Sequence, residues 1–130
     1  MSDVLPSVPP HPDTPRLRLR LVFPDGGMLG PGKIDLLGLI LAHGSISAAG
    51  REMRMSYKRA WQLVDDMNAA FREPLVESTR GGPKGGGARL TQTGQRVLTI
   101  YRDLERQTQQ AGAPQITALT AMRSDIAGQK

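Results

Sequence analysis

Ser45-Ile46-Ser47-Ala48-Ala49-Gly50-Arg51-Glu52-Met53-Arg54-Met55-Ser56-Tyr57-Lys58-Arg59-Ala60-Trp61 is the stretch on which the fold of this chain turns. Ser45 or Ser47 is placed to cap a short helix running to about Met53, because a serine oxygen accepts one of the backbone N–H groups that a helix start leaves without a partner. After a turn of three or four residues, Ser56 is placed to cap the next helix. Two helices joined this tightly are the helix-turn-helix signal. The second of them extends from about Tyr57 to Phe71. Ala60, Leu63, Val64, Met67 and Phe71 recur at helical spacing and face a core, while Lys58, Arg59, Gln62, Asp65 and Asp66 fall outside that stripe. Cations crowd the first turn and the acids come later, so only the N-terminal half of this helix can lie against phosphate without repulsion. A recognition helix enters the major groove by that end. Trp61 lies beside the apolar stripe and reads as packing.

Upstream, Arg16-Leu17-Arg18-Leu19-Arg20-Leu21-Val22-Phe23 alternates with a period of two, which predicts a half-buried strand with leucines on one face and arginines on the other. Pro24-Asp25-Gly26-Gly27 breaks it, and Gly30-Pro31-Gly32 delays the next element to about Lys33. A helix with a broad apolar stripe of Ile34, Leu36, Leu37, Ile40 and Leu41 follows and ends at His43-Gly44. The first fifteen residues carry Pro6, Pro9, Pro10, Pro12 and Pro15 with few large apolar groups, and read as a flexible arm.

Downstream of Pro74, Leu75–Thr79 reads as a short strand, Arg80–Gly87 as a loop, and Ala88–Thr91 as a second strand. Strand, basic glycine-rich loop and strand make a wing. Arg80, Lys84 and Arg89 flank the loop, and glycines let a backbone approach a duplex closely, so the wing is expected to touch phosphate or the minor groove. From about Thr93 to Gln110 a last helix carries Val97, Ile100, Tyr101 and Leu104 on one face. Past Gly112 the pattern weakens, although Ile116, Leu119 and Met122 leave room for another helical turn or two. The expected class is mainly α with small β: a winged helix-turn-helix with an N-terminal strand, a three-helix core, a two-stranded wing and a long C-terminal helix. Its expected boundaries are an arm at 1–15, the domain at 16–110 and a weakly ordered tail at 111–130.

At 130 residues, 38% hydrophobic and with a net charge of +5, the chain is sized for one domain with an affinity for something anionic. No window approaches the roughly 20 apolar residues of a membrane span, and Met1-Ser2-Asp3 does not open a signal peptide, so a cytoplasmic location without a membrane partner is expected. The absence of cysteine removes disulfides, thiolate metal sites and a cysteine nucleophile. His11 and His43 stand apart from any ligand cluster, so no metal, cofactor or catalytic residue is expected. Gly27, Gly32 and Lys33 have the spacing of a phosphate-binding P-loop. Ile34 replaces its magnesium-holding hydroxyl, however, and Pro31 removes a backbone donor, so that reading fails.

Gly44-Ser45-Ile46-Ser47, Met55-Ser56-Tyr57-Lys58-Arg59-Ala60-Trp61 and Asp66-Met67-Asn68 closely resemble the DNA-binding half of the molybdate-responsive ModE regulators. Leu75-Val76-Glu77, Gly81-Gly82, Gly85-Gly86-Gly87-Ala88, Leu90-Thr91 and Gly94-Gln95-Arg96 continue the resemblance in the same order, over roughly residues 17 to 110. It implies a homodimer built through the first strand and the last long helix, a third helix that reads operator bases, and a wing that follows the backbone. Two departures stand out. Arg54 occupies the tight turn where the family has glycine, and the chain stops soon after its last helix, where the family carries a molybdate-binding region.

The expected function is therefore sequence-specific regulation by a dimer on double-stranded DNA. Lys58, Arg59 and Tyr57 are expected nearest the bases or their adjacent phosphates, Ser56, Arg80, Lys84 and Arg89 on the backbone, and Gln62 among the DNA-binding residues of the same helix. The competing expectations are an oxyanion sensor using Arg16, Arg18 or Arg20 at a dimer interface, and a winged-helix module that docks on protein. Molybdate binding is not expected of these 130 residues, because capture of a tetrahedral oxyanion needs several convergent donors in a shielded pocket.

Overall fold

The computed structural model describes residues 14–82 and 85–124, with the backbone alone for residues 80–82, 85 and 86. Most of the proline-rich arm and Lys84 thus lie outside the described residues. Two compact units are present: Leu19–Tyr101, and a smaller one formed by the described residues 14–18 and 102–124.

The larger unit opens with a short hairpin, β1 (Leu21–Val22) antiparallel to β2 (Met28–Leu29). Pro24 and Asp25 occupy the turn between them. Gly26 takes the left-handed position (φ 95°) and donates its N–H to the Phe23 carbonyl at 2.9 Å. The expected strand over Arg16–Phe23 is corrected here, since only two of its residues have a ladder partner. Leu17 and Leu19 are half-buried and Arg16, Arg18 and Arg20 exposed, so the alternation holds that far, but Leu21 and Val22 are exposed. Within the smaller unit a side chain replaces the missing strand: Gln109 accepts from the Leu17 N–H at 2.8 Å and donates to the Pro15 carbonyl at 3.0 Å.

Helix α1 spans Pro31–His43. It begins two residues before the expected Lys33 because a proline suits the first helical position, where its missing N–H has no role. It stops at Gly44, whose left-handed backbone (φ 71°) no longer continues the helix. Helix α2 (Ile46–Glu52) is capped by Ser45, whose Oγ accepts from the Ala48 N–H at 3.0 Å, and α3 (Tyr57–Ala70) by Ser56, whose Oγ accepts from the Arg59 N–H at 3.0 Å. Phe71, expected as the last turn of α3, instead leaves the helix and meets Phe23 edge-to-face at 6.2 Å.

The wing is β3 (Val76–Gly82) antiparallel to β4 (Gly85–Leu90), with an irregularity between Thr79 and Gly82. Both strands run further into the expected loop than the glycines suggested. The Ala88 N–H donates to the Gly44 carbonyl at 2.9 Å, which ties the wing to the end of α1. Helix α4 (Gln92–Ala111) follows, and the expected weakly ordered tail contains a helix, α5 (Ala113–Ala121). The core of the larger unit draws Ile34, Leu36, Leu37 and Ile40 from α1, Ala60, Leu63, Val64 and Met67 from α3, and Val76, Ala88 and Leu90 from the wing, with Leu75 just before it. Leu98 and Tyr101 of α4 close it, and the Tyr101 hydroxyl donates to the Leu19 carbonyl.

Two glycines set the close approaches. A Cβ on Gly50 would stand 3.0 Å from Ala60 Cβ, so α2 and α3 cross where neither has a bulky side chain. On Gly94 it would stand 2.1 Å from the Leu75 carbonyl oxygen, so α4 begins directly against the backbone that leads into the wing.

Candidate nucleic-acid interface

The turn between α2 and α3 sets the direction of α3. Arg54 holds φ 60°, its N–H donates to the Arg51 carbonyl, and the Met55 N–H reaches back to the Gly50 carbonyl at 3.0 Å. These are the two bonds of a Schellman ending, whose left-handed position glycine fills without strain. A side chain there costs about 1–2 kcal/mol, partly offset because glycine is freer in the unfolded chain. Arg54→Gly is therefore expected to raise stability by about 0.5–1 kcal/mol, read as a higher urea midpoint at unchanged slope. A lower midpoint would mean that the arginine side chain contributes a contact of its own.

At the capped end of α3, Ser56, Tyr57, Lys58, Arg59 and Gln62 are all exposed, as the sequence pattern requires. Ser56 Oγ accepts the Arg59 N–H, which leaves its own proton to donate outward. The first turn holds no acid, and Asp65 and Asp66 are exposed further along. Positive side chains and the positive end of the helix dipole coincide there. With 3.6 residues per turn, Lys58, Gln62 and Asp65 form the middle of the exposed face, with Tyr57 and Trp61 on one flank and Arg59 on the other.

The far end of α3 is held by a residue that sequence reasoning quoted without giving it a role. Asn68 Oδ1 accepts from the N–H groups of Leu75 (2.8 Å) and Val76 (3.1 Å), and its Nδ2 donates to the Val76 carbonyl at 3.1 Å. One side-chain amide thereby acts as a strand partner for the entry to the wing and couples the wing to α3. Its only signal in the sequence is an amide at the end of an amphipathic helix, which has many other uses.

In the wing, Arg89 and Glu77 are register partners, and Arg89 Nε donates to Glu77 Oε2 at 2.8 Å. The residue assigned to phosphate thus already has a carboxylate beside it, and the pair is exposed. Arg80 belongs to β3, but its side chain and Lys84 lie outside the described residues. The structure therefore brings Ser56 through Gln62 onto one helix end, and leaves Arg89 on a separate element in an ion pair. Among the described residues no group of three or more His, Asp or Glu side chains gathers as a metal site. Lys33 of the discarded P-loop spacing donates to the Met28 carbonyl at 3.0 Å. Among the described residues no helix is long and apolar enough to cross a membrane.

Residues 34–95 match the family model described as bacterial regulatory helix-turn-helix protein, lysR family. The chain is 42% identical over 94 residues to the molybdenum transport protein ModE of Azotobacter vinelandii, covering 72% of this chain and 35% of that protein. It is 45% identical over 80 residues to the DNA-binding transcriptional dual regulator ModE of Escherichia coli strain K12 (62% of this chain, 30% of that one). With the molybdenum-pterin-binding protein MopA of Rhodobacter capsulatus it shares 44% over 77 residues (59% and 29%). The chain spans about a third of the length of these relatives. A crystal structure of a LysR family transcriptional regulator superposes with a TM-score of 0.53 at 16% identity, over 72% of this chain and 30% of that one, which shows the winged-helix fold.

Proposed function

We propose that this chain, a lysR-type helix-turn-helix similar to part of the ModE regulators, binds double-stranded DNA sequence-specifically as a homodimer and regulates transcription. The observation that carries the reading is the end of α3, where Lys58, Arg59 and Gln62 stand exposed with no acid in the first turn. Major-groove entry by that end brings the cations to guanine edges and phosphates, and keeps Asp65 and Asp66 away from the backbone. Binding should follow counterion release, with log affinity falling linearly in log salt. An affinity for duplex DNA that does not change with salt would overturn the reading.

The wing is the backbone-following element in this proposal. Lys84→Ala should weaken binding to all sequences about equally and flatten the salt slope by roughly one. Arg89→Ala removes a cation and also leaves Glu77 unmatched beside the phosphates, so it should weaken binding more than Lys84→Ala does. Unchanged slopes in both variants would reduce the wing to a spacer.

Dimerisation is supported by apolar side chains in solvent: Ile100 and Leu104, one helical turn apart on α4, are 58% and 42% exposed, and Leu21 and Val22 of β1 are exposed too. Two copies double the number of bases read and fix half-sites about one helical turn apart. Ile100→Glu is expected to give folded monomers in sedimentation, with operator binding greatly weakened. A wild-type monomer at micromolar concentration that binds a symmetric site would contradict the dimer.

A further inference from the structure

Tyr57 and Trp61 lie one turn apart on α3, and their rings meet edge-to-face with centroids 6.2 Å apart at 71°. Tyr57 is 61% exposed, an unusual position for an aromatic ring. Trp61 is half-buried against the core. Its Nε1, the only polar atom of the indole, is buried without a hydrogen-bond partner among the described residues. What the Trp61 ring shows to solvent is therefore carbon. Together the two rings make an apolar ledge along the flank of the Lys58 and Gln62 row.

In the major groove every base edge presents hydrogen-bonding atoms, and thymine alone adds an apolar group, its 5-methyl. A carbon surface beside two polar readers gains only from that methyl. A solitary exposed tyrosine would have to be ordered on binding, whereas one seated against Trp61 is ordered beforehand. We propose that Tyr57 contacts the 5-methyl of a thymine in each half-site and that Trp61 is the positioning residue that fixes its ring. This rests on the DNA-binding reading above and specifies which base chemistry the aromatic flank reads.

The test replaces each thymine of the selected binding sequence, one at a time, by deoxyuridine, which removes the methyl and nothing else. Wild-type protein, Tyr57→Ala, Trp61→Leu and Trp61→Phe are titrated below their unfolding midpoints. One position per half-site should weaken wild-type binding about fourfold, the worth of one buried methyl. Tyr57→Ala should be indifferent to that substitution, as should Trp61→Leu, while Trp61→Phe keeps an aromatic support and most of the effect. A purely structural Trp61 would lower the unfolding midpoint in Trp61→Leu and leave the methyl effect intact, which overturns the positioning role. A selected sequence without thymine, a flat deoxyuridine scan on tightly bound DNA, or a methyl effect that survives in Tyr57→Ala overturns the contact but not the DNA reading. Failure of wild-type protein to bind duplex DNA would overturn both.

Discussion

Among the glycines whose surroundings the described residues define, Gly94 is expected to tolerate an added methyl least. The new Cβ would stand 2.1 Å from the Leu75 carbonyl oxygen and 2.9 Å from its carbon. An ordinary carbon–oxygen approach is no closer than about 3.3 Å, so α4 or the backbone before the wing must retreat by about 1 Å. Neither can move freely. The Gly94 N–H is bound to Thr91 Oγ1 at 2.9 Å, the Thr91 N–H donates to the Leu75 carbonyl at 2.9 Å, and the Leu75 N–H is held by Asn68. The cost should reach about 3 kcal/mol, the upper end of ordinary overpacking, and lower the thermal midpoint by about 15 °C. Gly32→Ala is the control. Its Cβ would meet nothing within 4 Å on α1, so replacing a helical glycine there should stabilise by about 0.5 kcal/mol. Equal midpoints for Gly94→Ala and wild type, followed by circular dichroism, would mean that α4 does not seat on Leu75.

The second large effect is expected on binding. Lys58→Ala and Arg59→Ala each remove a cation from the end of α3 proposed to enter the groove, and each should cost about 1–3 kcal/mol, or about five- to 150-fold in affinity. The two side chains stand on different parts of the exposed face, so they should differ in kind. The variant that loses a base contact should relax preference at one base pair, and the variant that loses a phosphate contact should weaken all sequences alike. Both side chains are exposed, and Arg59→Ala keeps the backbone N–H that Ser56 Oγ accepts, so unfolding midpoints should stay near wild type. If both variants bind a selected operator as tightly as wild type at fixed salt, the assignment of α3 is wrong.

Elements set by local chemistry were legible in the sequence. Ser56 was legible as the cap of α3, and Ser45, with Ser47 as the alternative, as that of α2, because a serine before an amphipathic run has one evident use, and His43-Gly44 ends α1 for a comparable reason. The strained Arg54 was legible through the resemblance, as the wrong residue for a left-handed turn. Features that depend on a partner distant in the chain were not. Arg16–Phe23 has the pattern of a strand, yet a strand needs a neighbour, and only Leu21 and Val22 have one in β2. Arg89 read as a free phosphate ligand because Glu77 lies twelve residues earlier, and only the wing register brings them together. Gly94 and Asn68 carry no local pattern, since their importance comes from Leu75, which approaches both. Of the candidate site, the helical part was legible as one exposed face, and the wing part was not, because its charge depends on pairing across the ladder.

If two copies of α3 read DNA, selection of bound sequences from random duplex DNA by the full chain will show it. A consensus of two inverted half-sites whose centres lie about one helical turn apart is expected, lost from the selection in Lys58→Ala/Arg59→Ala. Enrichment of no sequence, or of a consensus that the double variant still selects, would contradict it.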